Sequence, residues 1–333
     1  MDLRILLPGD LTPTLDDHSI VQQLLGKESL VAVYGPSNSG KSALTLDLAA
    51  SVAMGSAFRG LRVKQSAVLY VCAEGAHGMK NRVFALKQTG RLSPNAALGV
   101  VPDSVDLCSS PVDTSRIVTA CLALQVKTGH PVRLIVIDTL ARVMAGGDEN
   151  SGADMGRLIA NADSIKAQTG ATVLLIHHSG KDGSKGARGH SSFRAALDTE
   201  ISVEGANNPR VVTVTKQRDL APLEPFSFNL TPVTLGNNSY GEPVTAVVVE
   251  HSDAPTPKRL SGLGKNQSAA LAALREWASS NRDPFITTPV LTELLKRQSV
   301  TSRQRRLEIT NWLVNGGLLT KAIGGYTVER GVL

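Results

Sequence analysis

Leu30-Val31-Ala32-Val33-Tyr34-Gly35-Pro36-Ser37-Asn38-Ser39-Gly40-Lys41-Ser42 begins as an apolar run, breaks at a glycine and restarts at Gly40-Lys41-Ser42. Residues 35–42 fit the spacing G-x-x-x-x-G-K-[ST]. The spacing has a chemical reason. Glycines let successive backbone N–H groups turn inward toward phosphate oxygens. Lys41 supplies a point charge for β and γ phosphates, and the Ser42 hydroxyl can join a Mg²⁺ shell. A helix opening at Lys41 adds the positive end of its dipole. With a strand before the loop and a helix after it, Gly35, Pro36, Ser37, Asn38, Ser39, Gly40, Lys41 and Ser42 read as a cradle for a nucleoside triphosphate, with ATP and Mg²⁺ as the expected pair.

Working outward, short runs rich in Val, Ile and Leu recur at Ala67–Cys72, Arg133–Ile137, Ala171–Ile176, Leu197–Val203 and Arg210–Thr215. Helical spacing occupies Ser42–Ala53 and Asp154–Thr169, the second ending at Gly170. Continuous apolar strands alternating with helices predict an α/β fold, a mainly parallel central sheet covered by helices on both faces. From about residue 221 the chain turns to Pro-, Thr- and Val-rich segments ending in Thr245–Glu250, read as extra strands at the sheet's edge.

Two of these strands end in residues suited to phosphate chemistry. Arg133–Ile137 runs into Asp138, where a carboxylate at a parallel strand's C-terminal end can hold a metal's water shell. The next residue is Thr139, so a general base has to come from elsewhere. Glu74 follows the strand Ala67–Cys72, and a carboxylate there can orient and deprotonate an attacking water. The strand Thr172-Val173-Leu174-Leu175-Ile176 ends in His177-His178. Neighbouring residues on a strand face opposite ways, so one of the pair can meet the nucleotide.

Together, the P-loop strand, the Glu after the second strand, the Asp followed by Thr and the strand ending in His-His resemble the RecA-like ATPase core. More narrowly, they resemble the RepA-type hexameric replicative helicases of plasmids and phages, over about residues 18–250. Val212-Thr213-Val214-Thr215-Lys216-Gln217-Arg218 is similar to the strand-then-Lys-x-Arg element of ring helicases. The resemblance implies that Lys216 and Arg218 reach a neighbouring subunit's γ-phosphate, where a guanidinium neutralises the transferring group. It implies His178 rather than His177 as the sensing residue. It also implies that the Gly-rich loop 180–189, with Lys181, Lys185 and Arg188, meets single-stranded DNA in the channel of a homo-oligomeric ring, expected to be a hexamer. Arg188 or Arg194 is a further candidate for the nucleotide. No primase or zinc-binding segment accompanies the core, so a separate primase or loader is an expected partner.

The charge is unevenly placed. The whole chain has 35 Lys+Arg against 29 Asp+Glu, but residues 255–333 alone hold 12 against 5. A basic tail on a near-neutral body predicts a polyanionic partner. Residues 252–268 are rich in Pro, Gly and Ser, as a linker is. Beyond them, Ser268–Ala278 reads as a helix with Leu271, Leu274 and Trp277 inward. A second helix starts with Thr288 as N-cap and Pro289 in first position. The third, Ser302–Asn315, has Leu307, Leu313 and Val314 inward, and Leu318–Ala322 with Tyr326–Glu329 make a hairpin. That layout resembles a winged helix-turn-helix, with Arg303, Arg305 and Arg306 placed for duplex DNA, or the module serves a protein contact.

The expected organisation is a lead segment (1–29), an ATPase core (30–251), a linker (252–265) and a winged-helix-like domain (266–333). Three scattered cysteines, no run of 18 apolar residues and a poor signal peptide predict a cytoplasmic protein with no membrane span. The function expected is an ATP-hydrolysing, ring-forming helicase on single-stranded DNA in replication of a plasmid, phage or other mobile element. The alternative is a nucleotide-switched loader or regulator that binds DNA without unwinding it. A small-molecule kinase leaves the basic tail and the Lys-x-Arg element without a role.

Overall fold

A strand buried on both sides has no room for alternation, and the apolar runs obey this rule. The computed structural model describes residues 7–10, 18–73, 76–179, 190–252, 265–281, 283–315 and 318–328. Two compact units divide the chain, Met1–Ala254 and Pro255–Leu333. The first unit runs β1 (Ser19–Val21), β2 (Leu25–Gly26), β3 (Leu30–Gly35), α1 (Lys41–Met54), β4 (Ala67–Cys72) and α2 (Ala76–Gln88). Then come β5 (Leu98–Val101), α3 (Pro111–Thr128), β6 (Val132–Asp138), α4 (Leu140–Val143), α5 (Gly152–Thr169) and β7 (Thr172–His178). It closes with α6 (Ser191–Ala196), β8 (Thr199–Glu204), β9 (Arg210–Gln217), β10 (Phe226–Asn237) and β11 (Pro243–Ser252).

One nine-stranded sheet carries the unit, in the order β11-β10-β9-β8-β3-β7-β6-β4-β5. From β8 to β5 every pairing is parallel, and from β8 to β11 every pairing is antiparallel. The change of sense has a local cause. Only the short turn 205–209 joins β8 to β9, too short for the crossover that a parallel pair needs. Arg210–Thr215, counted from sequence among the parallel strands, is thus an antiparallel neighbour of β8. Side chains alternate across the sheet. Val31 and Val33 of β3 join a core with α1 and the late strands, whereas Leu30 and Ala32 join a second core under α3 and α5. Residues before Leu30, expected as a lead segment, contribute Ile20, Val21, Leu24 and Leu25 to the first of these cores. All three cysteines are buried, and none is in a disulfide. No described helix is long and apolar enough to cross a membrane.

The second unit has α7 (Lys265–Ser280), β12 (Phe285–Thr287), α8 (Thr288–Arg297), α9 (Arg303–Asn315), β13 (Leu319–Ala322) and β14 (Gly325–Val328). Its three strands pair in the order β12-β14-β13, so a short strand missed in the sequence joins the expected hairpin. Leu274, Ile286, Leu291, Leu295, Leu313 and Val328 form its core. Two expectations shift here. The N-cap of α8 is Thr287, whose side chain accepts from the Val290 N–H, so Thr288 is already helical. Leu307, expected inward, is 61% exposed, because Ile309, Thr310 and Leu313 make the buried side of α9. The stretch 253–264, most of the expected linker, lies outside the described residues.

Candidate nucleotide site

Gly35 ends β3 where no side chain fits. A Cβ there would run into the Val203 carbonyl oxygen on β8. The loop then turns through two left-handed residues, Asn38 at φ 64° and Gly40 at φ 90°. Glycine takes this conformation without steric cost, and asparagine takes it more readily than most residues. Gly40 is the N-cap of α1, so the first orphan N–H groups of that helix open onto the loop. Lys41 is buried, and its Nζ donates to the carbonyls of Gly35 at 3.0 Å and Pro36 at 2.7 Å. Helix α1 is braced from behind. Asp47 accepts from Arg91 at 3.2 Å through one oxygen and meets His251 Nε2 at 3.1 Å through the other.

A cavity of about 590 Å³ lies over this loop, and Ser37, Asn38, Gly40, Lys41 and Ser42 form its floor. Asp138 and Thr139 enter it from the end of β6, joined by a cis peptide, and His178 enters from the end of β7. Asp138 is buried, and the Tyr70 hydroxyl donates to its Oδ2 at 2.8 Å. Burial first, and the Asp138 charge next, push the Tyr70 phenol well above its ordinary pKa, so it stays a donor. Of the two histidines, His178 lines the cavity. His177 is 0% exposed and packs edge-on against Phe193 at 5.8 Å.

The donor set suits a hard cation. The Ser42 hydroxyl and the Asp138 carboxylate open on one cavity, and oxygen ligands with phosphate are what Mg²⁺ takes. Among the described residues no cluster of three or more His, Cys, Asp or Glu is placed to hold a metal.

Two arginines absent from the sequence reading also line the cavity, Arg82 of α2 and Arg210 of β9. Nothing local marks either of them. Arg82 is one of several bases on α2, and Arg210 merely opens a strand after Pro209. Arg210 is 9% exposed and held by its own turn, donating to the Asn208 side chain and, at 3.2 Å, to the Ala206 carbonyl. Burial lowers its pKa, yet a guanidinium keeps its charge in such surroundings.

Other candidates lie elsewhere. Glu74, Lys181, Lys185 and Arg188 are outside the described residues. Arg194 is not in the cavity lining; its Nε pairs with the buried Glu200 at 3.1 Å. Lys216 Nζ donates to the carbonyls of Arg194 at 2.8 Å and Ala195 at 3.1 Å, at the end of α6. Burial, then the nearby Arg218 charge, lower the Lys216 pKa. Arg218 pairs with Asp198 at 2.8 Å. Both sit at the far end of the strands from their own cradle. Gln217 pairs with Thr199, which is level with Val31 and so four residues before Gly35, a strand length of about 13 Å. In the second unit, Arg303 and Arg305 are exposed. Arg306 instead donates to the carbonyls of Val300, at 3.1 Å, and Thr301.

Residues 9–184 match the AAA_25 family, described as an AAA domain. The chain belongs to the AAA_25 family. The family is one of RecA-like P-loop ATPases, which bind ATP with Mg²⁺, and the matched stretch holds the cradle, Asp138 and His178. Among solved structures, the chain is similar to the crystal structure of the RadB recombinase. The likeness has a TM-score of 0.43 at 18% identity and covers 62% of this chain and 88% of that one. No curated protein matches the chain in sequence.

Proposed function

We propose that this ATPase is a ring-forming helicase or translocase on single-stranded DNA, serving the replication of a plasmid, phage or other mobile element. The supporting observation is the position of Lys216 and Arg218. They lie at the end of the strands away from their own cradle, so a role in hydrolysis would be played in a neighbouring copy. A ring, expected to be a hexamer, supplies that neighbour. The second unit, with its three helices and three-stranded sheet, fits a winged helix. Its balance of 12 bases against 5 acids over residues 255–333 suits phosphate contact through Arg303 and Arg305, or docking of a loader or primase.

In this reading Lys41 leaves the Gly35 and Pro36 carbonyls to neutralise β and γ phosphate oxygens. Ser42, and Asp138 through water, would hold Mg²⁺, which would supply further charge neutralisation when bound. Glu74 takes a proton from the attacking water, and His178 senses the γ-phosphate from the end of β7. Arg218 of the adjacent copy offsets charge on the transferring group, and the loop 180–189 tracks the DNA backbone.

Steady-state ATP hydrolysis with and without single-stranded DNA tests this, with Lys41→Ala as the blank. A DNA-driven motor should accelerate by about tenfold, some 1.4 kcal/mol off the limiting barrier. Slow hydrolysis that DNA leaves unchanged would remove the motor and leave a nucleotide-switched loader.

A further inference from the structure

The cavity has two ends, and the phosphate chemistry accounts for only one. Asp138 enters from β6 and His178 from β7, on one side of the cradle strand β3. On the other side the wall is made by Arg210 of β9, Leu230 of β10 and Val247 of β11. These three belong to the antiparallel extension of the sheet, and the P-loop spacing says nothing about them.

The wall is fixed in place. Asn208 bonds the backbone of Leu230 twice, accepting from its N–H at 2.9 Å and donating to its carbonyl at 3.1 Å. The Asn208 oxygen also holds Arg210, so one side chain locks the β8–β9 turn, the guanidinium and β10 together. Arg210 lies directly over the cradle. Its Cδ is 3.1 Å, and the Phe228 ring 3.2 Å, from where a Cβ on Gly40 would stand. One hydrogen bond from each Nη, to Asn208 and Ala206, fixes the plane of the guanidinium. A guanidinium fixed in this way can offer a ligand its flat face, and Leu230 and Val247 add aliphatic side chains to the same cavity lining. Such a surface accepts the π-face of a base and reads no base edge.

We propose that Arg210, with Leu230 and Val247, forms the subsite for the nucleoside end of the bound triphosphate, gripping base and ribose by guanidinium stacking and apolar contact. This rests on the reading of the cavity as a nucleoside triphosphate site. The base is held without edge recognition, so adenine and guanine nucleotides are accepted alike.

Calorimetric titration of the full chain with Mg²⁺ and ADP, GDP or inorganic tripolyphosphate tests the assignment, using wild type, Arg210→Ala, Arg210→Lys and Lys41→Ala. In Arg210→Ala the affinities for ADP and GDP should fall together by about tenfold, as expected for a lost cation–π contact in a partly desolvated site. Tripolyphosphate affinity should stay at the wild-type value. Arg210→Lys keeps the charge and loses the flat face. It should lose nucleotide affinity in the same pattern, and it stands in if the alanine variant does not fold. Unchanged ADP binding in both variants overturns the proposal, as does an equal loss for tripolyphosphate, which would make Arg210 a phosphate ligand. A wild-type preference of more than about tenfold between ADP and GDP would overturn the lack of edge recognition. If wild type and Lys41→Ala bind ADP equally, the fault lies instead in the nucleotide reading of the cavity.

Discussion

A buried carboxylate needs donors, and Asp138 draws one of them from the Tyr70 hydroxyl. The raised pKa of that phenol turns the pair into a measurable quantity. The unfolded chain gives up the tyrosine proton near its ordinary pKa of about 10 while the folded chain still holds it. The stabilisation is therefore complete below about pH 10 and is lost as pH rises toward the folded value. Tyr70→Phe should remove that part of the alkaline decline and lower stability at neutral pH by about 1 kcal/mol. Urea midpoints of both proteins between about pH 8 and about pH 11 check it, and parallel curves would disprove the raised pKa that burial, and then Asp138, gives Tyr70. Legibility at this scale followed covalent spacing. The cradle residues and Asp138 were readable because their chemistry depends on near neighbours in the chain. Arg210 was not, because it meets Gly40 only through the pairing of strands far apart in sequence. Arg82 reaches the same cavity from α2, and its local sequence carries no sign of that.

Among the elements, the buried strands were the most readable, since an unbroken apolar run has few alternatives to a covered sheet. Helix ends were less so. Thr287 and Thr288 are equally good caps on paper, and the pairing of Thr287 with Gly325 in the small sheet leaves Thr287 as the last extended residue and thus the cap. Its side chain bonds the Val290 N–H, so Thr287→Ala should destabilise the second unit by about 1 kcal/mol, whereas Thr288→Ala should cost clearly less. Thermal unfolding of the two variants, followed by the fluorescence of Trp277 and Trp312, separates the assignments. Helix α9 misled for a different reason. Leu307 sits two positions before the buried Ile309, about 200° around the helix, and so falls on the outer face near Arg303. Arg306, counted with its neighbours as a DNA contact, is committed to the carbonyls of the preceding turn. Composition does not show which of three nearby arginines is already in use.

For the molecule as a whole, the placement of Lys216 and Arg218 makes a dose experiment decisive. Arg218→Ala should abolish hydrolysis while leaving nucleotide binding nearly intact. Mixed with wild type in the proposed ring, it should reduce activity out of proportion to its share, because each altered subunit would disable its neighbour's site. A loss that simply follows the wild-type fraction would show that every subunit works alone. The parallel sheet was legible at this scale. Of its antiparallel extension, β10 and β11 were legible only as extra strands at an edge, and β9 was counted among the parallel strands, because an apolar run does not show the sense in which it pairs. The order of the sheet also has a consequence for biosynthesis. The cradle strand β3 lies between β7 and β8, with Leu30 level with Val173 and Val31 level with Thr199. The stretch that matches the family ends at residue 184, before β8 begins. At about 5–20 residues per second, a nascent chain waits on the order of ten seconds between making β3 and making its second neighbour. Through that interval one of the most apolar segments of the protein has an unpaired edge, and the close approaches of Gly35 to Val203 and of Gly40 to Arg210 and Phe228 have no partner to form with.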